Sequence, residues 1–222
     1  MNGDLFAYEL NYENPDWISG GTATFNGNIS EVAWTSATNT SGRVHAYSYS
    51  YDNLNRLTQA RYSAFDPASR DTYYPNDVDL YSLTNLSYDA NGNILTTNRN
   101  GWLFNKQSDS FFKGTALDAM DALQYTYDGN RLTAVTDNRT GTYDGYYDYQ
   151  ANTTTGNGYE YDANGNMTFD ENRGLRIEYN QHNLPKRIWN DEGQINFIYT
   201  HDGTLHKKIF QIYGSAPQYK YY

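Results

Sequence analysis

Aspartate recurs behind a tyrosine at Asp52, Asp89, Asp128 and Asp162, and carboxylates at repeated positions invite three chemical readings. The first is calcium. Asp89-Ala90-Asn91-Gly92-Asn93 and Asp162-Ala163-Asn164-Gly165-Asn166 have the oxygen-rich look of a calcium loop. An EF-hand loop, however, needs Gly sixth and a bidentate Glu twelfth. Here Gly is fourth, and the twelfth residue is Asn100 or Arg173. The second reading is acid–base catalysis, but one carboxylate per repeat at a fixed place beside Asn and Gly suits capping of the local backbone better. The third is glycoside hydrolysis by the pairs Asp170-Glu171 and Asp191-Glu192. Adjacent acids point in different directions and do not flank one bond. His45, His182, His201 and His206 include no His-x-x-x-His spacing, no Ser lies in Gly-x-Ser-x-Gly, and no phosphate loop precedes a helix. The expectation is no catalytic residue, no metal site and no cofactor.

Aromatic rings offer another chemistry, since their faces stack on sugars. Tyr73, Tyr74, Trp102, Tyr146, Tyr147 and Trp189 are the candidates, with Trp102, Tyr146, Tyr147 and Trp189 carried forward as ligand-binding residues. The competing expectation is that most rings pack across strands. The six Asn-x-Ser/Thr sequons, among them Asn28 and Asn85, are unremarkable in a chain with 26 asparagines.

The elements that would position these residues are repeats. Tyr51-Asp52 closes a run in which Tyr47, Tyr49 and Tyr51 alternate with serine. Tyr88-Asp89 precedes Asn91-Gly92, Tyr127-Asp128 precedes Gly129, and Tyr161-Asp162 precedes Asn164-Gly165. Two weaker copies follow at Tyr179-Asn180 and at Tyr199 with Asp202-Gly203. Period-two patterning sets one face of a strand. Asp, Asn and Gly then accept the positive φ that reverses the chain, and Leu57, Ile94, Leu132 or Met167 restarts it. Each unit therefore reads as a β-hairpin whose Tyr, Asp and Gly are structural. The expected ladder stacks Tyr51, Tyr88, Tyr127, Tyr161 and Tyr179 on one face. Between units, 64–79 reads as a loop and 143–158 as a long connection. Residues 114–123 read as one or two helical turns carrying Leu117, Met120 and Leu123. Residues 1–44, with Trp17, Phe25, Ile29, Val32 and Trp34, read as degenerate strands.

Composition bounds the rest. In 222 residues, Leu, Ile, Val and Phe number only 37, but 24 Tyr and 4 Trp supply an aromatic core in their place. The net charge of −10 disfavours nucleic acid and anionic membranes, which need a surplus of Lys and Arg. With no cysteine, disulfides, thiolate–metal sites and thiol catalysis fall away. No stretch is long and apolar enough for a membrane-spanning helix. Met1 to Leu5 has neither a basic nor an apolar signal-peptide region. Both ends carry repeat-like patterning, as a piece of a longer protein would.

The pattern Tyr-x-Tyr-Asp-x-x-Gly-Asn/Arg-Leu-Thr, in register at four places, resembles the YD repeat of rearrangement-hot-spot (Rhs) proteins. These include bacterial polymorphic toxins, insecticidal toxin complexes and teneurins. The resemblance covers residues 45–212, with departures at Asn55, Asp128-Gly129, Asn180 and Tyr199. It implies an all-β array of antiparallel hairpins over 1–222, part of a shell wall around a C-terminal effector. The implied partners are further repeats and that effector, in a protein that is secreted or displayed on a bacterial surface. A surface carbohydrate-binding or adhesive module is the alternative, with glycans as partners.

Overall fold

The computed structural model describes residues 5–37, 42–66, 68–73, 78–105, 110–113, 120–139, 144–145, 149 and 158–222. The chain divides into two compact units, Met1–Gln124 with Asp137–Tyr149, and Tyr125–Thr136 with Gln150–Tyr222. Its early strands are β1 (Phe6–Asn11), β2 (Glu31–Ser36), β3 (Val44–Tyr51), β4 (Leu57–Asp66) and β5 (Ser69–Tyr73). Next come β6 (Leu83–Tyr88), β7 (Ile94–Arg99), β8 (Trp102–Asn105), β9 (Ser110–Lys113), β10 (Asp121–Asp128), β11 (Arg131–Asp137) and β12 (Asp144–Gly145). The later strands are β13 (Tyr159–Tyr161), β14 (Met167–Asp170), β15 (Leu175–Tyr179), β16 (Pro185–Trp189), β17 (Gly193–Tyr199), β18 (Leu205–Ile212) and β19 (Gln218–Tyr221). One sheet has the order β1-β2-β3-β4-β6-β7-β10-β11, with β5 paired to β4; a small one has β12-β8-β9. The third, β13 to β19, is a meander in chain order. The fold is all-β and antiparallel.

In the first unit, alternation assigns the faces. Glu31, Ala33 and Thr35 of β2, and Val44, Ala46 and Ser48 of β3, are buried; Trp34, Tyr47 and Tyr49 lie on the opposite face. The small residues leave room for Trp17 and Ile18, which pack with Ala33, Val44, Ala46 and Phe65. Trp17 and Ile18 belong to a loop held by one buried carboxylate. Glu31 accepts from the backbone N–H of Asp16 (3.1 Å), Trp17 (3.1 Å) and Ile18 (2.8 Å), and from Asn11 Nδ2 (3.1 Å). These donors offset the cost of taking the charge out of water. A second cluster gathers Tyr62, Ala64 and Leu80, with Trp34, Tyr47 and Trp102 against it. In the second unit no described apolar side chain of β13 to β19 is buried. Leu175, Ile177, Ile188, Ile195, Phe197 and Phe210 share one half-buried face of that meander.

Three local expectations change. The stretch 64–79 is not all loop: β4 runs to Asp66, and β5 pairs back onto it. Of 114–123, residues 114–119 lie outside the described set, but Asp121 to Leu123 are strand. Pairing with β7, as in Leu123 opposite Thr97, supplies ladder bonds that outweigh a weak helical preference. Trp17, Phe25 and Ile29 lie in loops rather than strands, while Val32 and Trp34 are in β2. Of 143–158, only Asp144, Gly145, Tyr149 and Gly158 are described.

Candidate functional site

The recurring site is the hairpin end, and it is built the same way five times. Tyr51, Tyr88, Tyr161, Tyr179 and Tyr199 each stand at a register shift, opposite Leu57, Ile94, Met167, Pro185 and Leu205. Such a bulge re-aims the side chain that it carries. Five turn residues follow each tyrosine. The first is Asp52, Asp89, Asp162, Asn180 or Thr200. The fourth is Asn55, Gly92, Gly165, Asn183 or Gly203, all with positive φ, from +57° at Asn183 to +90° at Gly92. Thr200, not Asp202, therefore takes the aspartate's place in the last copy. There Thr200 N donates to Thr204 O and Gly203 N to Thr200 O, as Asp162 N does to Asn166 O and Gly165 N to Asp162 O. Tyr127, Asp128 and Gly129 (φ +61°) lead through a shorter turn from β10 to β11.

Asp52, Asp89 and Asp162 each cap their own turn, whereas Asp128, in the shorter turn, accepts no such bond among the described residues. Asp89 Oδ1 accepts from Asn91 N (2.9 Å) and Asn93 N (2.8 Å), and Oδ2 accepts from Asn93 Nδ2 (2.8 Å). Asp162 repeats this with Asn164 and Asn166, and Asp52 with Leu54 and with both the N–H and the guanidinium of Arg56. Donors aimed at the ionised form lower the carboxyl pKa, chiefly through Arg56 N at Asp52, Asn93 Nδ2 at Asp89 and Asn166 Nδ2 at Asp162. These oxygens are occupied by the turn. Among the described residues, no cluster of three His, Asp or Glu side chains is placed to hold a metal.

The tyrosines do not form the expected ladder. Among the described residues, no ring of Tyr51, Tyr88, Tyr161 or Tyr179 stacks on another of the set; in the sheets a return strand separates successive copies. At about 4.8 Å per strand that doubles the distance beyond ring contact. Four hydroxyls span to the preceding segment instead, while Tyr179 makes no such bond among the described residues. Tyr88 donates to Leu57 O (2.6 Å), Tyr161 to Leu132 O (2.9 Å) and Tyr199 to Pro185 O (2.9 Å), while Tyr51 donates to Ile29 O (2.8 Å). In the first three the acceptor is the first or second carbonyl of the return strand of the preceding hairpin. Arginine reinforces the same junction. Arg56 lies 4.5 Å from the centroid of the Tyr88 ring and donates to Asp89 O (3.1 Å), and Arg131 lies 6.0 Å from the Tyr161 centroid. Burial raises the pKa of Tyr51, Tyr88, Tyr161, Tyr179 and Tyr199, so these phenols stay protonated donors.

Asparagines add a second link between turns. Asn55 Oδ1 accepts from Asn26 Nδ2 (2.6 Å) and Asn28 Nδ2 (3.1 Å) in the preceding turn. Asn183 Oδ1 accepts from Asn164 Nδ2 (3.0 Å) and Asn166 Nδ2 (2.8 Å). Asn tolerates the left-handed conformation almost as glycine does, and it brings an acceptor. The motif is thus a unit of structure, and its chemistry is adhesion between hairpins.

Comparison with known proteins gives distant structural likenesses. The chain is similar to part of TcdB2-TccC3-Cdc42, at 14 % identity and a TM-score of 0.42, covering 98 % of this chain and 13 % of that one. It is also similar to a Photorhabdus luminescens Tc holotoxin pore with mutated TccC3, at 12 % identity and a TM-score of 0.22, covering 91 % and 14 %. A third likeness is TcdB2-TccC3 without its hypervariable C-terminal region, at 13 % identity and a TM-score of 0.20, covering 98 % and 15 %. The chain thus spans about one seventh of those proteins. No family model and no curated protein matches it.

The ring candidates separate. Trp102 is half-buried beside the Tyr62 cluster, and Trp189 lies in β16 with the Arg187 guanidinium 4.6 Å from its ring centroid. Tyr146 and Tyr147 fall outside the described residues, as does Tyr74. A row of near-parallel rings that the motif does not announce lies on the first sheet. Trp34 stacks on Tyr47 (5.8 Å, 15°), and Tyr47 on Tyr49 (6.0 Å, 16°). Burial, then the neighbouring Tyr49 and Tyr81, pushes the Tyr47 phenol up to about 12. The alternation of Tyr47 and Tyr49 was the available signal; Trp34 needed the β2–β3 register.

Proposed function

We propose that the chain is a non-catalytic structural section of an Rhs/YD-repeat protein, part of a shell that encloses or presents a C-terminal effector. The observation that carries this reading is the backward bond from the tyrosine of one hairpin to a main-chain carbonyl of the hairpin before it. It joins neighbouring hairpins through side chains as well as ladder bonds, which is what a wall requires and a reaction centre does not. Asp52, Asp89 and Asp162 accept bonds from their own turns, which supports a structural role for them. In this reading the partners are further repeats and the effector, and the full protein is exported or displayed on the cell surface. The test is limited proteolysis of the full-length protein. The region beyond the repeats should resist cleavage in the parent and become sensitive when Tyr88, Tyr161 and Tyr199 are changed together to Phe. Equal sensitivity in the parent would overturn the reading.

The Trp34–Tyr47–Tyr49 row favours a second reading, a carbohydrate-binding surface, because near-parallel aromatic rings on one strand face offer stacking partners to a sugar. A glycan array decides it: binding that is lost in Tyr49→Ala supports this reading, and a blank array removes it.

A further inference from the structure

Residues 89–93 and 162–166 share one sequence, Asp-Ala-Asn-Gly-Asn, and fold into the same turn. Asn91 N and Asn164 N donate to the aspartate Oδ1 (2.9 and 3.0 Å), and Gly92 N and Gly165 N to the aspartate carbonyl (3.2 and 3.0 Å). Both glycines have positive φ, +90° and +86°. Only the surroundings differ. Asn164 Nδ2 donates to Asn183 Oδ1 (3.0 Å), and the Arg131 guanidinium lies over Gly165. Asn91 is exposed, and its side chain makes no hydrogen bond among the described residues. Nothing lies within 4 Å of where a side chain on Gly92 would begin. At a third Asn-Gly pair, Asn26-Gly27, the amide is held as at Asn164. Asn26 Nδ2 donates to Asn55 Oδ1 (2.6 Å), and Asn26 Oδ1 accepts from Asn28 N (3.1 Å). A fourth pair, Asn157-Gly158, has its asparagine outside the described residues.

We propose that Asn91 is a site of spontaneous deamidation in the folded protein, while Asn26 and Asn164 are protected by the hydrogen bonds that hold their amides to a neighbouring turn. The Gly92 main-chain nitrogen attacks Asn91 Cγ. The new N–C bond closes a cyclic imide, the Cγ–Nδ2 bond breaks, and Nδ2 leaves as ammonia with the proton given up by Gly92 N. Water then opens the ring. Attack at Cγ leaves aspartate, and attack at the Asn91 main-chain carbonyl carbon leaves an isoaspartyl link through the side chain. Glycine favours closure because it has no Cβ to block the approach. Closure also requires Cγ to swing over Gly92 N. A side chain tied through its own leaving nitrogen, as at Asn164 and Asn26, must break that bond first, whereas Asn91 has none to break. The product alters the turn. An isoaspartyl link adds one carbon to the main chain just ahead of Gly92, whose N–H closes the turn on Asp89 O. The same carbonyl accepts from Arg56 (3.1 Å), so the change falls on a junction between hairpins.

Peptide mapping of the 222-residue protein after incubation at mildly alkaline pH counts aspartyl and isoaspartyl products at each asparagine. In the folded protein Asn91 should convert roughly three- to tenfold faster than Asn164, the effect of one hydrogen bond that must open first. In urea the two rates should converge, because the local sequences are the same. Asn183→Gly keeps a backbone that tolerates the left-handed turn but removes the acceptor. It should raise the Asn164 rate toward that of Asn91 and leave Asn91 unchanged. Equal rates in the folded parent overturn the proposal, and so does a difference that persists in urea. An Asn164 rate that Asn183→Gly does not move overturns it as well. The comparison of folded and urea-unfolded parent needs no variant.

Discussion

Changing Tyr161 to Phe removes one oxygen atom and nothing from the ring, so it isolates the bond to Leu132 O. A neutral intramolecular hydrogen bond contributes about 0.5–1.5 kcal/mol, and the part-buried carbonyl left behind adds to the loss. The urea midpoint of Tyr161→Phe should fall accordingly, whereas Tyr213→Phe, on an exposed turn, should be silent. The turn aspartates make a prediction about acid. Their folded pKa values lie below the ordinary carboxylate value of 3.8. Their contribution is therefore complete above that value and is lost as pH falls through the lower folded values. Urea midpoints should hold from pH 7 to 5 and drop below pH 4. Changing Asp89 and Asp162 to Asn should flatten the drop, because Asn180 shows that an amide oxygen alone holds the turn, accepting from His182 N and Leu184 N.

At the scale of the element, the loop ahead of β2 depends on one side chain. Glu31→Ala leaves the N–H groups of Asp16, Trp17 and Ile18 without their acceptor and should cost several kcal/mol, at about 1–3 kcal/mol for each buried donor left unsatisfied. Amide exchange at Trp17 and Ile18 should rise with it. Asn183 separates two effects. Asn183→Gly keeps the +57° backbone but loses the bonds to Asn164 and Asn166, while Asn183→Ala adds left-handed strain of about 1–2 kcal/mol. Ala should therefore be the worse change in a thermal melt. The hairpins themselves were legible in advance, because period two and Asp-x-Asn-Gly are local signals. The register shift at the tyrosine was implicit too, since five residues separate Tyr51 from Leu57 and Tyr88 from Ile94. What could not be read were destinations: the Tyr88 hydroxyl goes to a strand 31 residues away, and Glu31 to a loop with no motif. The helix expected at 114–123 failed at its end because β7 offered a ladder that composition does not announce.

Across the whole molecule the two units differ in how they keep water out. The first has Trp17, Phe65, Tyr62 and Leu80 buried in clusters, while β13 to β19 have no buried apolar side chain among the described residues. Local stability follows burial. Hydrogen exchange should therefore be slowest at β2, β3 and β4 and faster throughout β15 to β18; equal protection would refute this. The backward direction of the tyrosine bond has one more consequence. Tyr88, Tyr161 and Tyr199 each reach for a carbonyl that was translated earlier. On a ribosome the acceptor hairpin is already outside the exit tunnel when its donor emerges, and each new hairpin finds a finished template. Because the acceptor is main chain, with Leu57, Leu132 and Pro185 serving equally, a gene can gain or lose a copy without supplying a matched side-chain acceptor for the tyrosine.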